Sequence, residues 1–568
     1  MSDSYREYPD EKKEHDIDHL EAQDSTEQTL MEQAILRGEE ETKLGFKGVV
    51  KLHYPAALWS MALSLALVME GMDVGLVNNF FGQEAYIERF GHLDSAGKKY
   101  VPANWQAAIN NGQQVGAVVG LLFNGWAQSR FGSRKIYMLG MVVLAGTIFC
   151  LFFANSLVML MVGNILCGIP WGIFQTLTTA YAAEIAPVAM RGYLTSWVSM
   201  CWGTGSFLAA GVLRASLGLP GNWAWKVPYA LQWIWVVPLF FVAFFAPESP
   251  WYLVRMERYE EAEKALYRLA RKGHYTPEQM RGQLALMKYT NEKEKAEAAN
   301  SSYWDCFRGT NLRRTEIVCM TFLIQTECGQ AICSYATVFL KAAGMAQTMA
   351  FNYSMAIQST NIVATGIAIY FMGRLGRRTF YMAGVCAIGL FQMVIGIIGV
   401  AGISKASEGI AVAVMMILIN LTFKLSLGPA CYTIIGEMPN SRVRAQSVVL
   451  ARTTYIIGNT VNGQIIPRQL NVKEWNWGAK CGWYWMGLCA LGAVYTWFRI
   501  PESRNRTFLE LDHLFAMRVP ARKFSNYHID IAEITENDKD TVRQITAHQE
   551  DVRVIVDRVP DLDATTRR

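Results

Sequence analysis

Apolar runs long enough to cross a bilayer dominate the hydrophobic and polar pattern of the chain, and they fall in two blocks of six. A hydrocarbon core roughly 30 Å thick takes about 20 residues of apolar helix. Runs of that kind occupy residues 56–80, 105–127, 136–154, 157–182, 193–214 and 226–246. After a polar stretch they resume at 314–340, 349–372, 379–402, 409–432, 445–466 and 481–500. The pattern predicts an all-α membrane protein with twelve transmembrane helices in two six-helix bundles, 55–246 and 314–500. Around them lie an N-terminal tail (1–54), a middle loop (247–313) and a C-terminal tail (501–568). The tails at 1–44 and 516–568 are charge-rich, and disorder is the expectation for such composition. The middle loop is different. Its segment RMERYEEAEKALYRLAR is amphipathic, and Thr276-Pro277-Glu278-Gln279 offers a capping residue, proline at the first helical position and acid in the first turn. Short helices against the inner ends of the bundles are expected there.

The two blocks also repeat one another. Glu184 and Arg191 recur 253 residues later as Glu437 and Arg444, and Pro247-Glu248-Ser249 recurs 254 residues later as Pro501-Glu502-Ser503. Arg130-Phe-Gly-Ser-Arg134 recurs as Arg374-Leu-Gly-Arg-Arg378. Duplication is the economical reading, and a duplicated transporter places its substrate near the bilayer midplane between pseudo-symmetric halves.

Composition and charge sharpen this picture. With 52% hydrophobic residues and a mean hydropathy of +0.14, the chain is too apolar for a soluble protein. The net charge of +5 carries no nucleic-acid message, because what matters is where each cation falls. Arg130, Arg134, Lys135, Arg191, Arg374, Arg377, Arg378, Arg442 and Arg444 all lie in alternate loops. The positive-inside rule places those loops, the middle loop and both termini in the cytosol. The N-terminal stretch has no apolar core, so no cleaved signal peptide is expected. The 11 cysteines show neither metal-ligand nor disulfide spacing. Gly91 to Lys99 has one residue too many for a phosphate loop and lacks the following Ser or Thr. No enzyme, metal or cofactor chemistry is implied.

Three charges break the apolar pattern. Glu70 and Asp73 stand at i and i+3 of the first span, on one helix face, and Arg452 lies deep in the eleventh. An ionisable group at that depth is a functional hypothesis by default. Burial favours the neutral form of a carboxyl, so such a group can take up a proton on one side and release it on the other. The competing reading is a carboxylate that caps a helix end. Arg452 needs a partner: Glu327, Asp73, Glu70 or the hydroxyls of a substrate.

The repeated Arg/Gly loops, Pro247-Glu248-Ser249-Pro250-Trp251 and Pro501-Glu502-Ser503-Arg504-Asn505-Arg506-Thr507 resemble the signatures of sugar porters of the major facilitator superfamily, over about residues 50–515. Met69-Glu70-Gly71-Met72-Asp73, the run Leu166 to Gln175, Leu231 to Trp235, Thr326 to Gly329, Leu450-Ala451-Arg452 and Trp475-Asn476-Trp477 are similar to the fungal maltose and α-glucoside permeases. The resemblance implies proton-coupled uptake of maltose or another α-glucoside across the plasma membrane by a monomer, with Asp73 as carrier. Two positions depart from it. Ala117 stands where many α-glucoside permeases carry an acid, and Lys424 where hexose porters carry Glu. Lys424 and Glu327 could neutralise one another, leaving the proton path to Glu70 and Asp73 or removing it. The alternatives are a facilitative hexose transporter or metabolite exporter of the same fold, then a non-transporting sugar sensor.

Sugar recognition needs polar side chains and aromatic faces converging on one cavity. Candidates are Trp171, Gln175, Ser199, Trp202, Gln325, Glu327, Asn361, Tyr432, Tyr455 and Asn459. Of these the resemblance singles out Ser199, Gln325, Tyr432, Tyr455 and Asn459. Each has a bland alternative, since polar residues also join helices inside membranes. Glu184 with Arg191 and Arg130, and Glu437 with Arg444 and Arg377, are expected to form a cytoplasmic gate that latches the halves.

Overall fold

The computed structural model describes residues 45–524 apart from 94–96, 98, 187, 272, 274, 300–301, 343, 373–375, 402–405, 441–442, 472 and 505–507. The tail readings for 1–44 and beyond 524 therefore lie outside the described residues. Twelve long helical segments are present among the described residues. In the first half they are α1 (Tyr54–Phe80), α2 (Ala103–Phe131), α3 (Ser133–Phe152), α4 (Leu157–Ile185), α5 (Val188–Ser216) and α6 (Trp223–Phe245). In the second they are α7 (Gly309–Lys341), α8 (Gln347–Met372), α9 (Arg377–Ala401), α10 (Ser407–Glu437), α11 (Arg444–Leu470) and α12 (Cys481–Arg499). A two-residue β pair, His92–Leu93 with Lys99–Tyr100, is the sheet structure described.

Seven of these helices are long and apolar enough to cross a membrane by length and composition: α1, α3, α4, α6, α7, α9 and α10. The other five are more polar, and four of them have a common reason. The halves meet where α2 packs on α11 and α5 on α8, so each of these four helices turns one face to the other half. Helix α2 can then carry Asn104, Gln106, Asn110, Asn111, Gln113 and Gln114 in its first half, at positions that lipid would not tolerate.

Within the first half, α2 and α4 touch backbone to backbone. Gly116 and Gly120 on one helix face Gly168 and Gly172 on the other, and a Cβ at any of the four would collide with a main-chain carbonyl across the seam. Small residues four apart on facing helices permit this approach. Ala117 is part of the same seam, since its own carbonyl is the atom that Gly172 abuts.

The repeated motifs have a shared local purpose. Glu248 of Pro-Glu-Ser accepts from the backbone N–H of Ser133 at 2.9 Å and of Arg134 at 3.3 Å, at the N-terminus of α3. Its counterpart Glu502 accepts from the backbone N–H of Arg377 at 2.7 Å and Thr379 at 3.4 Å, at the N-terminus of α9. Each acid satisfies open N–H groups and sits at the positive end of the helix dipole. In the middle loop, helices span Pro250–Arg255, Tyr259–Leu269 and Pro277–Ala299. Thr276 and Gln279 exchange side-chain to backbone hydrogen bonds at 3.4 and 3.0 Å, a reciprocal cap on the third helix.

Two irregularities were not visible as apolar runs. Helix α7 breaks after Glu327: Gly329 takes φ +81°, and Gln330–Tyr335 is a tight 3-10 turn. A side chain at Gly329 would be strained and would strike Trp485 and Gln392. Helix α10 widens into a π turn at Phe423–Leu427, just before Gly428-Pro429. Lys424 sits on that turn.

Contacts between the halves concentrate at the end remote from the basic loops. Thr337 donates to Asn79 at 2.6 Å, and Lys341 reaches the Gly82 carbonyl at 2.9 Å and Glu84 at 3.5 Å. Asn110 donates to the Tyr335 hydroxyl, Arg214 to Asn352 at 2.8 Å and Arg468 to Asn104 at 3.0 Å. All lie toward the ends of α1, α5, α7 and α11, just beyond α1, or in the first turns of α2 and α8. At the basic end the described ion pairs stay within one half: Arg255 with Glu184, and Arg377 with Glu437 at 3.2 Å. The latch expected between the halves from these acids is thus a pair of intra-half networks in this conformation.

The glycine seam yields a test. Gly120→Leu is expected to abolish the monodisperse peak of the detergent-extracted protein in fluorescence-detected size exclusion. Gly125→Leu, a position with nothing within 4 Å of an added Cβ, is expected to leave it intact.

Candidate functional site

The deepest polar feature is Asp73, with no exposed surface, on α1. Three helices each contribute a donor to its carboxylate: Gln113 Nε2 of α2 at 2.7 Å, Trp171 Nε1 of α4 at 3.0 Å and Gln232 Nε2 of α6 at 2.8 Å. All three donors are neutral, and no cation lies in hydrogen-bonding reach among the described residues. The amide oxygens of Gln113 and Gln232 have no hydrogen-bond partner among the described residues. An amide can present either its N–H₂ or its oxygen. Turning either glutamine therefore sacrifices no other bond and would let it accept from a protonated Asp73.

One turn toward the basic end, Glu70 is also buried, at 3% exposure. Gln175 Nε2 donates to its Oε1 at 2.5 Å, and the Trp202 side chain hydrogen-bonds it as well. Its second oxygen, Oε2, has no partner among the described residues. The i, i+3 acids of α1 thus meet an i, i+4 pair on α4, Asp73 with Trp171 and Glu70 with Gln175. The relay continues across the two halves. Arg452 of α11 donates to Gln175 Oε1 at 3.4 Å. Its guanidinium lies 4.5 Å from the centre of the Tyr455 ring and hydrogen-bonds Tyr432. Tyr432 and Tyr455 both pack on Phe322 of α7, at 5.6 and 5.3 Å between ring centres.

Tyr432 is 47% exposed although its ring touches Arg452 and Phe322. That exposed area opens on the space between the halves, because Arg452 spans that space to reach Gln175. Gln175, Ser199, Trp202, Tyr455 and Asn459 are likewise half-buried or exposed. Gln325 is buried at 5%, with its amide oxygen lacking a partner among the described residues.

Other candidates are placed elsewhere. Trp171, expected against the sugar, is buried at 1% and committed to Asp73, so its indole is a support of the carboxylate. Asn361 is buried at 3% in a network with Gln358 and Asn420, packed against Gly203 of α5, and serves the contact of the halves. Glu327 is held by Asn462 and Thr326. Lys424 makes no ion pair among the described residues, so the neutralisation of Glu327 by Lys424 is not found; its ammonium lies 5.8 Å from the Phe423 ring. Of the gate residues, Glu184 pairs with Arg255 of the middle loop. The backbone carbonyl of Arg130 accepts from Tyr252 at 3.0 Å, and its side chain is exposed. The Arg191 side chain lies outside the described residues. Glu437 takes Arg377 and also the Ser503 hydroxyl at 2.6 Å, while Arg444 lies near Arg314.

Gln113 and Gln232 escaped the sequence reading as site residues because neutral amides in helices are common. The signal was the clustering of amides at Asn110, Asn111, Gln113 and Gln114, and the lone Gln232 in an apolar aromatic run.

Comparison with known proteins agrees with this geometry. Residues 59–515 match the family described as Sugar (and other) transporter. The general alpha-glucoside permease of Saccharomyces cerevisiae is 37% identical over 484 residues, 84% of this chain and 78% of that protein. A maltose permease of the same yeast is 35% identical over 505 residues, 88% of this chain and 82% of the relative. Among solved structures, the inward open xylose transporter XylE from E. coli superimposes with a TM-score of 0.65 at 19% identity, covering 81% of this chain and 99% of the other. The shared fold is the two-bundle major facilitator architecture, and by sequence the chain belongs to the sugar transporter family, whose members are permeases and not enzymes.

Proposed function

We propose that this chain carries maltose or another α-glucoside into the cell together with a proton, as a monomer in the plasma membrane with both termini in the cytosol. The observation that carries the proton half of the reading is the environment of Asp73: a carboxylate at bilayer depth held by three neutral donors, two of which can reverse their polarity. Such a pocket accommodates both protonation states without a permanent counter-ion. The names of the yeast relatives support the sugar. The positive-inside charges support the orientation.

The steps follow from the placement of groups. With the remote end open, a proton reaches Asp73, and Gln113 or Gln232 turns its amide oxygen to the new O–H. Sugar hydroxyls engage the unpartnered Glu70 Oε2, Gln325 Oε1 and the edges of Gln175 and Asn459, while Tyr432 and Tyr455 cover an apolar sugar face. Sugar that bridges Glu70 and Arg452 draws α1 and α4 toward α10 and α11. The contacts at Thr337, Lys341 and Tyr335 then close the remote end, and the basic end opens, as in the conformation described.

Three outcomes are expected. In yeast cells lacking their own sugar permeases, labelled maltose enters and the unbuffered medium turns alkaline as sugar is added; uptake without alkalinisation identifies a facilitator, and no uptake of any α-glucoside removes the substrate assignment. Asp73→Asn loses accumulation against a gradient, while counterflow of labelled sugar persists to within about tenfold of wild type, a change of ~1.4 kcal/mol. Gln175→Ala and Arg452→Ala each raise the half-saturation concentration by about tenfold or more, the loss expected for a hydrogen bond to a charged group worth ~1.5–3 kcal/mol. Arg452→Lys fails to restore it, because an ammonium cannot both stack on Tyr455 and fork to two partners.

A further inference from the structure

A second concave site lies far from the sugar cavity, at the basic end of the second half. After α12 the chain forms a helix at Phe508–Ala516 and a short turn at Ala521–Lys523, which fold back under the bundle. Leu514, Phe515 and Phe524 are buried there, and Arg314 of α7 clamps Asp512 at 2.5 Å. Between this element and the first turns of α7 lies a cavity of about 450 Å³. Four arginines line it, Arg313, Arg499, Arg518 and Arg522, and no acid does among the described residues. Arg499 is neutralised by Glu316 of α7. Arg313, Arg518 and Arg522 make no ion pair among the described residues. Arg313 spends one N–H on the Val519 carbonyl at 3.0 Å and leaves its buried Nε without a partner. Glu316, already paired with Arg499, is the acid beside Arg313, so the guanidinium groups around the cavity outnumber their described counter-charges.

The rim of the cavity identifies the occupant. Phe498, which lines it, is 58% exposed, and Trp497 beside it is 48% exposed on the outer face of α12. The Arg522 and Arg378 guanidinium groups both lie over that indole, at 5.2 and 5.3 Å from its ring centre. Aromatic rings with arginine at a helix end mark the level of lipid headgroups. Guanidinium groups recognise phosphate through paired N–H donors. We propose that this cavity binds the phosphate of an anionic glycerophospholipid, with Arg313, Arg518 and Arg522 as its ligands and the acyl chains running along Phe498 and Trp497. The bound lipid would tie the Phe508–Ala516 element to α7 and α12. Basic pockets between helix ends are a known chemistry for such headgroups.

The internal repeat supplies a comparison. At the same spacing of 254 residues that relates the Pro-Glu-Ser motifs, Arg522 corresponds to Arg268. Arg268 and Arg271 line the related cavity between α1 and the middle loop, but Arg268 already donates to the Phe245 carbonyl at 2.6 Å. That cavity therefore has fewer uncommitted charges and is the internal control.

The test uses the full-length chain in nanodiscs of phosphatidylcholine with and without ~20% phosphatidylserine, following thermal unfolding by tryptophan fluorescence. The wild type is expected to gain about 4 °C from the anionic lipid. The double variant Arg518→Gln/Arg522→Gln, both exposed positions, gains less than half of that, and Arg271→Gln gains as much as wild type. An equal gain in the double variant, or an equal loss in Arg271→Gln, overturns the site. The same gain from millimolar inorganic phosphate in phosphatidylcholine discs overturns the lipid as its occupant. If the double variant does not fold, lipid retained by the detergent-washed wild type decides: anionic phospholipid at about one per chain supports the site, and zwitterionic lipid alone refutes it.

Discussion

Asp73 has no exposed surface, so the surrounding helices must satisfy its carboxylate. A charge at bilayer depth is tolerated only when protein groups replace its hydration. Here α2, α4 and α6 each lend one donor, and this single requirement sets how those three helices are rotated around α1. Once α4 is fixed by Trp171, its next turn brings Gln175 to Glu70, and Gln175 in turn meets Arg452. The midplane contact between the halves is therefore a continuation of the same polar chain that orders the first half. One turn of α1 and one turn of α4 are all that separate the surroundings of Asp73 from Glu70 and Gln175.

Much of the architecture was legible as pattern. The twelve runs were visible because lipid imposes a length and a polarity on each span, and the repeated loops because charge marks sides. Thr276 and Gln279 were legible as a helix start for local reasons that need no tertiary context. The breaks in α7 and α10 were not, since Gly329 and Lys424 sit inside sequences apolar enough to read as continuous helix. The cause at Gly329 is tertiary, because Trp485 and Gln392 fill the space beside it.

The site was legible in its charges and illegible in its neutral partners. Glu70, Asp73 and Arg452 announce themselves by their cost in a membrane. Trp171 was assigned by residue type to a sugar, whereas its indole N–H faces inward to Asp73. Asn361 was assigned the same way and instead joins α8 to α10. In both cases composition suggested a polar or aromatic surface, but only the packing of neighbouring helices decides which side of a helix the cavity lies on. The gate residues show a related effect. Of the named pairs, Arg377 meets Glu437, while Glu184 takes Arg255 of the middle loop, a partner that a comparison of the repeated motifs does not single out.

The backbone seam between α2 and α4 has a consequence for how this scaffold can diversify. Four glycines leave no side chain in that contact to exchange, so the wall bearing Asp73, Trp171 and Gln175 has almost no tolerated variants in its spacing. The opposite wall, on α7, α10 and α11, is built from Tyr432, Tyr455, Gln325 and Asn459, whose outlines can change without moving a backbone. One half is a fixed gauge and the other an adjustable jaw. Side-chain changes in such a protein should accumulate on the jaw, where a ring or an amide can be traded singly, while the gauge holds the spacing of its helices.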